Sequence, residues 1–260
     1  MHPVSRASGQ SRDSLDAESL AMESSALAEP LDLSVVIPTF DEEANVGPVV
    51  AEVREVCEQL GLAHEILVVD GGSHDQTAAR ATASGARVIL QTQPGYGAAL
   101  TEAFAQTRGR FVVTLDSDLS HPPQILGTLY RHRDRAEILI ASRYVAGGRA
   151  TMPLSRLLLS RILNRVFAWF LDMPIADLSS GFRLYHANVL RSIATENRDF
   201  SFLQELLVKA YSAGYRVEEI PFHYVPRKHG YSKARILRFG ISYVKLLRKS
   251  RRLRRRSLRA

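Results

Sequence analysis

At 260 residues, with 45% apolar content, the chain is long enough for one large domain or two small ones and apolar enough for a buried core, so a globular protein is expected. Its single cysteine excludes an intramolecular disulfide and a cysteine-based zinc site, and fits a reducing compartment. The formal charge of +7 is unevenly laid out: fourteen of the 34 Lys and Arg residues follow Glu219 with no acid among them, leaving 20 bases against 27 acids in residues 1–219. Such a split favours a tail that meets phosphate, in lipid headgroups or nucleic acid, over a uniformly basic nucleic-acid-binding surface.

Residues 1–30 are rich in Ser, Ala and Glu without a sustained apolar period and read as a mobile extension. From Leu31 onward apolar runs alternate with helical patterns. The expected order is strand 33–37, helix near 44–60, strand 65–69, helix near 75–84, strand 86–90, helix near 97–107 and strand 110–115. Cys57 falls in the first helix, where it reads as a small buried hydrophobe. Runs such as "EILVVD" and "FVVTLD" lack a polar face, as strands covered on both sides do. The alternation predicts a parallel sheet with crossover helices, in an α/β fold.

Ligands of such sheets bind outside the carboxyl ends of the strands. The first strand runs into "PTFDEEAN", the second into Asp70-Gly71-Gly72-Ser73 and the fourth into Asp116-Ser117-Asp118, so three polar clusters fall on one edge. Two carboxylates at the exit of a buried strand repel each other unless a cation lies between them. Asp116 and Asp118 are therefore candidate ligands for Mg²⁺ or Mn²⁺, ions that commonly complete their shells with water and substrate phosphate. An acid/base pair is the competing account, but nothing in the sequence gives the two carboxylates unlike surroundings. Gly95 and Gly97 of "QPGYGAAL" open a helix, where they either present N–H groups to phosphate or make a plain strand-to-helix turn. Gly71 and Gly72 fit a turn with positive φ. Arg143 follows the apolar strand "EILIAS" and precedes a glycine-bearing loop; it reads as a phosphate contact or as half of an ion pair.

Leu154 to Leu171 form a bulky apolar helix that carries Arg156, Arg161 and Arg165, too charged to span a bilayer but suited to the headgroup region. Nor does the N-terminus show the basic region and apolar core of a signal peptide. Near the end, Ile236, Phe239, Tyr243 and Leu247 share one face of a helical pattern, and nine cations crowd residues 245–260. An amphipathic helix over 231–260, drawn to an anionic membrane surface, is the expectation.

Eight stretches occur here in the order seen in family-2 glycosyltransferases: "VVIPTFDEEANV", "ILVVDGGSHDQT", "GYGAAL", "LDSDLSHPP", "SRYVAGG", "DLSSGFRLYH", "FLQELLVKA" and "YVPRKHGYSK". Together they resemble most closely the dolichol- or polyprenol-phosphate mannose synthases, over roughly residues 33–235. The resemblance implies an A-type glycosyltransferase fold, a Rossmann-like and mostly parallel sheet flanked by helices, with a catalytic domain over 31–230. It implies that Pro38, Thr39, Asp41 and Glu42 contact the nucleoside and Asp70 the base, and it matches Gly95 and Gly97 to the nucleotide pocket. Gly71 departs from the family, which usually has an acid there. The helix bearing Gln204 and Glu205 is implied to border the sugar pocket. Ser117 and Arg183 join the substrate-binding set with Arg161, and the segment bearing Arg227, Lys228 and Lys233 is implied to cover the diphosphate and acceptor phosphate. His74, His121 and His229 read as loop residues with structural roles.

The chemistry implied is metal-dependent, inverting transfer of mannose from GDP-mannose to a polyprenyl phosphate, by a peripheral protein on the cytoplasmic side of a membrane. Asp116, Asp118, Arg143, Arg227 and Lys233 are the catalytic candidates. An ionised phosphate is already nucleophilic, so cations that position it and stabilise the leaving group matter more than a general base. An integral-membrane partner protein is left open. A UDP-glucose-dependent lipid glucosyltransferase is the nearest alternative. A nucleic-acid-binding protein on an inactive transferase fold is a more distant one, because it would leave the carboxylates idle.

Overall fold

A computed structural model describes residues 31–226. The expected N-terminal extension, the covering segment with Arg227, Lys228, His229 and Lys233, and the C-terminal amphipathic helix lie outside these residues. The elements follow in the order β1 (Leu33–Thr39), α1 (Val46–Gln59), β2 (His64–Asp70), α2 (Thr77–Ala83), β3 (Arg87–Leu90), α3 (Tyr96–Phe104), β4 (Phe111–Thr114), α4 (Gln124–Arg131), β5 (Ile138–Ser142), β6 (Arg149–Ala150), α5 (Leu154–Leu171), β7 (Arg183–His186), α6 (Ala187–Ser192), α7 (Phe202–Ser212), β8 (Val217–Pro221) and β9 (His223–Tyr224).

Seven strands form one sheet in the order β3-β2-β1-β4-β7-β5-β8, and β6 and β9 make a small parallel pair. Every pairing in the large sheet is parallel except those of β7, which runs antiparallel between β4 and β5. The sheet is covered on both faces, and the period of two along each strand deals its residues alternately to the two cores. Val35, Ile37, Val68 and Val113 pack with α1 and α4, while Val36, Leu67, Val69 and Val112 pack with α3 and α7. That is why β1, β2 and β4 read as unbroken apolar runs. Cys57 is fully buried on the α1 side, and burial pushes its thiol pKa up to about 12.

Register places the functional edge. Thr39 is level with Asp70, and Asp70 with Leu90, so β1, β2 and β3 end together. The pairing of β1 with β4 ends at Val36 and Thr114, so Pro38 lies past the point where β4 departs, and Asp116-Ser117-Asp118 leaves the sheet beside it.

Candidate active site

Where β1 and β2 end, their loops are stitched together by short polar side chains. Asp41 N–H donates to Ser73 Oγ at 2.9 Å, Glu42 N–H to Thr77 Oγ1 at 2.8 Å, and His74 N–H to Asp41 Oδ1 at 2.8 Å. Asp70 is buried and accepts the Ser73 N–H at 3.0 Å. Desolvation pushes the Asp75 carboxyl up, but hydrogen bonds from the Thr77 hydroxyl and N–H outweigh it and hold the group below its ordinary range. Asp41 adopts a positive φ of 48°, which aspartate tolerates better than most residues. Pro38, Thr39, Asp41, Glu42 and Asp70 are thus drawn to one rim.

Beyond β4, Asp118 and Ser117 are buried, whereas the Asp116 side chain is 40% exposed. The Ser120 N–H donates to Asp118 Oδ1 at 3.0 Å, and Asp116 N–H donates to His121 Nδ1 at 3.1 Å. That bond makes Nδ1 an acceptor, so a neutral His121 carries its proton on Nε2. The imidazole is buried among Phe182, Phe222 and Tyr224, a structural setting of the kind the sequence suggested. Between Asp118 and Ser120 the chain bends through Leu119 at φ 59°, a conformation unfavourable for a bulky residue and of the sort that clusters at functional loops. Among the described residues no group of three or more His, Cys, Asp or Glu side chains gathers as for a metal ion. The chemistry of two hard carboxylate donors fits Mg²⁺ or Mn²⁺, which complete their shells with water and substrate phosphate and need no all-protein cage.

Tyr96 and Gly181 complete this corner. A Cβ on Gly181 would lie 3.0 Å from Tyr96 Oη and 3.4 Å from Asp116 Oδ1, so all three surround one small volume. Burial, reinforced by the charge of Asp116, pushes the Tyr96 phenol well above its ordinary value. Its ring stacks on Phe200 with centroids 4.6 Å apart. Sequence reading passed over Tyr96, whose only signal was its place inside "PGYG".

Arg143 takes the ion-pair alternative. Its Nε and Nη2 each bond Asp177 at 2.7 Å, Nη2 also reaches Ser179 Oγ at 2.7 Å, and Asp177 is wholly buried. Desolvation opposes both charges, but their attraction and hydrogen bonds win: Arg143 titrates above and Asp177 below its ordinary value. Glu219 secures the same loop by accepting the Ala176 and Asp177 N–H groups at 2.7 and 2.9 Å.

Two expectations need correction. Arg183 does not face phosphate. It opens the antiparallel strand β7 inside the sheet, is fully buried, and its three guanidinium nitrogens donate to the Ser180, Leu203 and Leu178 carbonyls at 2.7–2.8 Å. Of the two readings of the Gly95-x-Gly97 turn, the plain strand-to-helix turn accounts for Gly97. The Gly97 N–H donates to the Arg198 carbonyl at 2.8 Å, and a Cβ on Gly97 would lie 2.6 Å from the Asn197 carbonyl oxygen, so this glycine exists to let α3 meet the 197–199 loop. The turn expectation holds for Gly72, with φ 85°, and not for Gly71, which is absent from the positive-φ glycines. Gln204 is buried and donates to the Leu178 carbonyl at 3.0 Å; Glu205 is buried, caps the Asn197 N–H at 2.8 Å and pairs with Lys209.

Arg161 lies on the outer side of α5, over the Tyr144 ring at 5.6 Å. Of the eighteen residues of α5 only Asn164 and Phe167 are buried, and Leu154, Leu158, Leu159, Ile162, Leu163, Val166 and Trp169 are exposed. Asn164 Nδ2 donates to Ser179 Oγ at 3.1 Å and the Ser179 N–H returns to Asn164 Oδ1 at 3.1 Å; Tyr144 Oη donates to Ser160 Oγ at 2.6 Å. No helix among the described residues is long and apolar enough to cross a membrane.

A mostly parallel α/β sheet with a carboxylate pair at the exit of β4 and a polar rim at the ends of β1 and β2 defines an A-type glycosyltransferase. Its overall path matches solved structures of that fold: glucosyl-3-phosphoglycerate synthase of Mycobacterium tuberculosis, in complex with Mn²⁺, uridine diphosphate and glucosyl-3-phosphoglycerate, aligns with a TM-score of 0.65 at 21% identity, over 96% of this chain and 86% of that one. The chain belongs to glycosyl transferase family 2, whose profile matches residues 34–194. It is 36% identical over 214 residues to a polyprenol monophosphomannose synthase of Mycolicibacterium smegmatis, covering 76% of this chain and 79% of the relative. It is 31% identical over 215 residues to a dolichol-phosphate mannosyltransferase of Pyrococcus furiosus, covering 78% of this chain and 59% of that longer protein. A dolichyl-phosphate hexose transferase of Haloferax volcanii is 32% identical over 197 residues, which cover 75% of this chain and 84% of the relative.

Proposed function

We propose that this glycosyltransferase moves mannose from GDP-mannose to a polyprenyl, dolichyl-type monophosphate, with inversion, while seated as a peripheral protein on the cytoplasmic face of a membrane. The names of the relatives from M. smegmatis and P. furiosus support mannose and the lipid phosphate. The observation that carries the lipid half is α5, with seven large apolar side chains bare on a helix that holds no acid and three arginines. A soluble acceptor would give that face no purpose; a lipid surface would bury it and leave the arginines among the headgroups.

In this reading Pro38, Thr39, Asp41, Glu42 and Asp70 hold the nucleoside end of the donor. Asp116 and Asp118, with Ser117 between them, would hold Mg²⁺ or Mn²⁺, and solved neighbours of the fold crystallised with Mn²⁺ or Mg²⁺ support a divalent ion. When bound, that ion supplies positive charge against the departing diphosphate. An ionised oxygen of the lipid phosphate attacks the sugar anomeric carbon with its own lone pair; the bond from that carbon to the donor's diphosphate oxygen breaks, and GDP leaves with the electron pair. No side chain has to remove a proton from the nucleophile. Arg143 acts through its pair with Asp177 to hold the 143–149 loop, while Arg227 and Lys233 are assigned to cover the phosphates, and Arg161 to meet the headgroup region.

The test is turnover by purified full-length protein with a panel of nucleotide-sugars, a polyprenyl phosphate and Mg²⁺ or Mn²⁺. The expected product is mannosyl polyprenyl phosphate of inverted configuration from GDP-mannose. Transfer from UDP-glucose and none from GDP-mannose would overturn the sugar, and transfer only to water-soluble acceptors would overturn the lipid.

A further inference from the structure

Resting on the reading of a guanine-nucleotide donor, we propose that Gln91 is a specificity-determining residue whose side-chain oxygen reads the nucleobase, in space that Gly71 leaves open. Gln91 directly follows β3, and its own N–H donates to the Asp70 carbonyl at 2.9 Å, which fastens it to the end of β2. Its side-chain Nε2 donates to the Gly95 carbonyl at 2.7 Å and also to the Gln93 carbonyl. Two carbonyls around one amide nitrogen fix which end of the amide is which, because an oxygen in that place would face two acceptors. Oε1 is thereby turned toward Gly71.

Gly71 needs no unusual backbone angle, so its lack of a side chain requires another reason. A Cβ there would lie 3.2 Å from Gln91 Oε1, 3.3 Å from the Thr39 carbonyl oxygen and 3.5 Å from the Phe40 ring. The space beside Gly71 thus holds either a side chain from position 71 or the Gln91 amide in its present place, without both being crowded. The Thr39 carbonyl accepts the Gly71 N–H at 2.9 Å and has a second lone pair. Acceptors therefore converge on this corner, with the Phe40 ring as its wall. Guanine presents two neighbouring N–H donors on one edge, its ring N1–H and its exocyclic amine. Uracil presents one N–H between two carbonyls, which would meet the acceptors oxygen to oxygen. A site that leaves polar groups unmet for the wrong base rejects it strongly.

Calorimetric binding of GDP and of UDP, each with Mg²⁺, to full-length protein tests this without turnover. Wild type should prefer GDP. Gln91→Ala and the closer-sized Gln91→Leu should weaken GDP about tenfold while changing UDP much less, since one neutral hydrogen bond is at stake. Adding Gly71→Asp to Gln91→Ala should restore most of the GDP affinity, which a purely structural glutamine would not predict. Thermal melts confirm that each variant is folded. An unchanged GDP-to-UDP ratio in both single variants overturns the Gln91 assignment and leaves the donor reading standing. A wild type that binds UDP more tightly than GDP removes the donor reading, and the Gln91 assignment with it.

Discussion

Arg143 and Asp177 face each other through two parallel 2.7 Å hydrogen bonds, and the carboxylate is entirely out of solvent. The pair joins the end of β5 to the loop that leads into β7, and Asp177 also accepts the Ser179 hydroxyl at 3.0 Å. Removing one charge strands the other. Asp177→Asn should lower unfolding stability by about 3–5 kcal/mol, measured by urea denaturation, and should reduce turnover with it. Stability equal to wild type would mean the pair contributes nothing net.

Asp118→Asn is nearly isosteric and keeps the oxygen that accepts the Ser120 N–H, so the loop should survive. Turnover should fall about a hundredfold or more, as when electrostatic stabilisation of a leaving group is lost, with an unaltered melting temperature. Asp116→Asn should behave alike. Full activity of either variant, or of wild type after chelation, would remove the divalent ion from the site.

Glu137 predicts a pH signature. Hydrogen bonds from the Arg216 side chain are the main reason its carboxyl is drawn down to about 2 from an ordinary 4.5, against a smaller opposing push from burial. A depressed folded-state pKa contributes stability that is fully present above the ordinary value and is lost as pH falls through the folded one. The gap in melting temperature between wild type and Glu137→Gln should therefore be constant above about pH 4.5 and shrink as pH falls toward 2. A gap that does not change over this window would contradict the assignment.

Trp169, the sole tryptophan of the chain, is 76% exposed at the end of the bare face of α5. On anionic vesicles its fluorescence should shift to the blue, as an indole entering the interface does. Adding salt should weaken the response where arginines supply the attraction. Replacing Leu158 and Ile162 with Ser should reduce vesicle binding without changing the melting temperature, because neither side chain is in the core. An unchanged spectrum at saturating lipid would exclude α5 from the contact.

The sequence by itself determined the buried strands and the edge on which the site lies. A strand covered on both faces takes mainly apolar side chains, with the few polar ones, such as Ser34 and Glu65, bonded to each other, so β1, β2 and β4 appear as apolar runs and their polar endings fall where a parallel sheet opens. Asp41, Asp70, Asp116 and Asp118 were legible for that reason. The partners of the cations were not, because a guanidinium pairs with whatever the chain path brings to it. Only the insertion of β7 antiparallel between β4 and β5 carried Arg183 into the interior, and only the return of the chain 34 residues later set Asp177 against Arg143. Gly95 and Gly97 read equally as a phosphate turn or as a plain strand-to-helix turn, and only the 197–199 loop, about a hundred residues further on, accounts for the glycine at 97. Local pattern is set by burial and by backbone period, which neighbouring residues share. The identity of a long-range partner depends on strand order, which is decided when the two faces of the sheet are covered together.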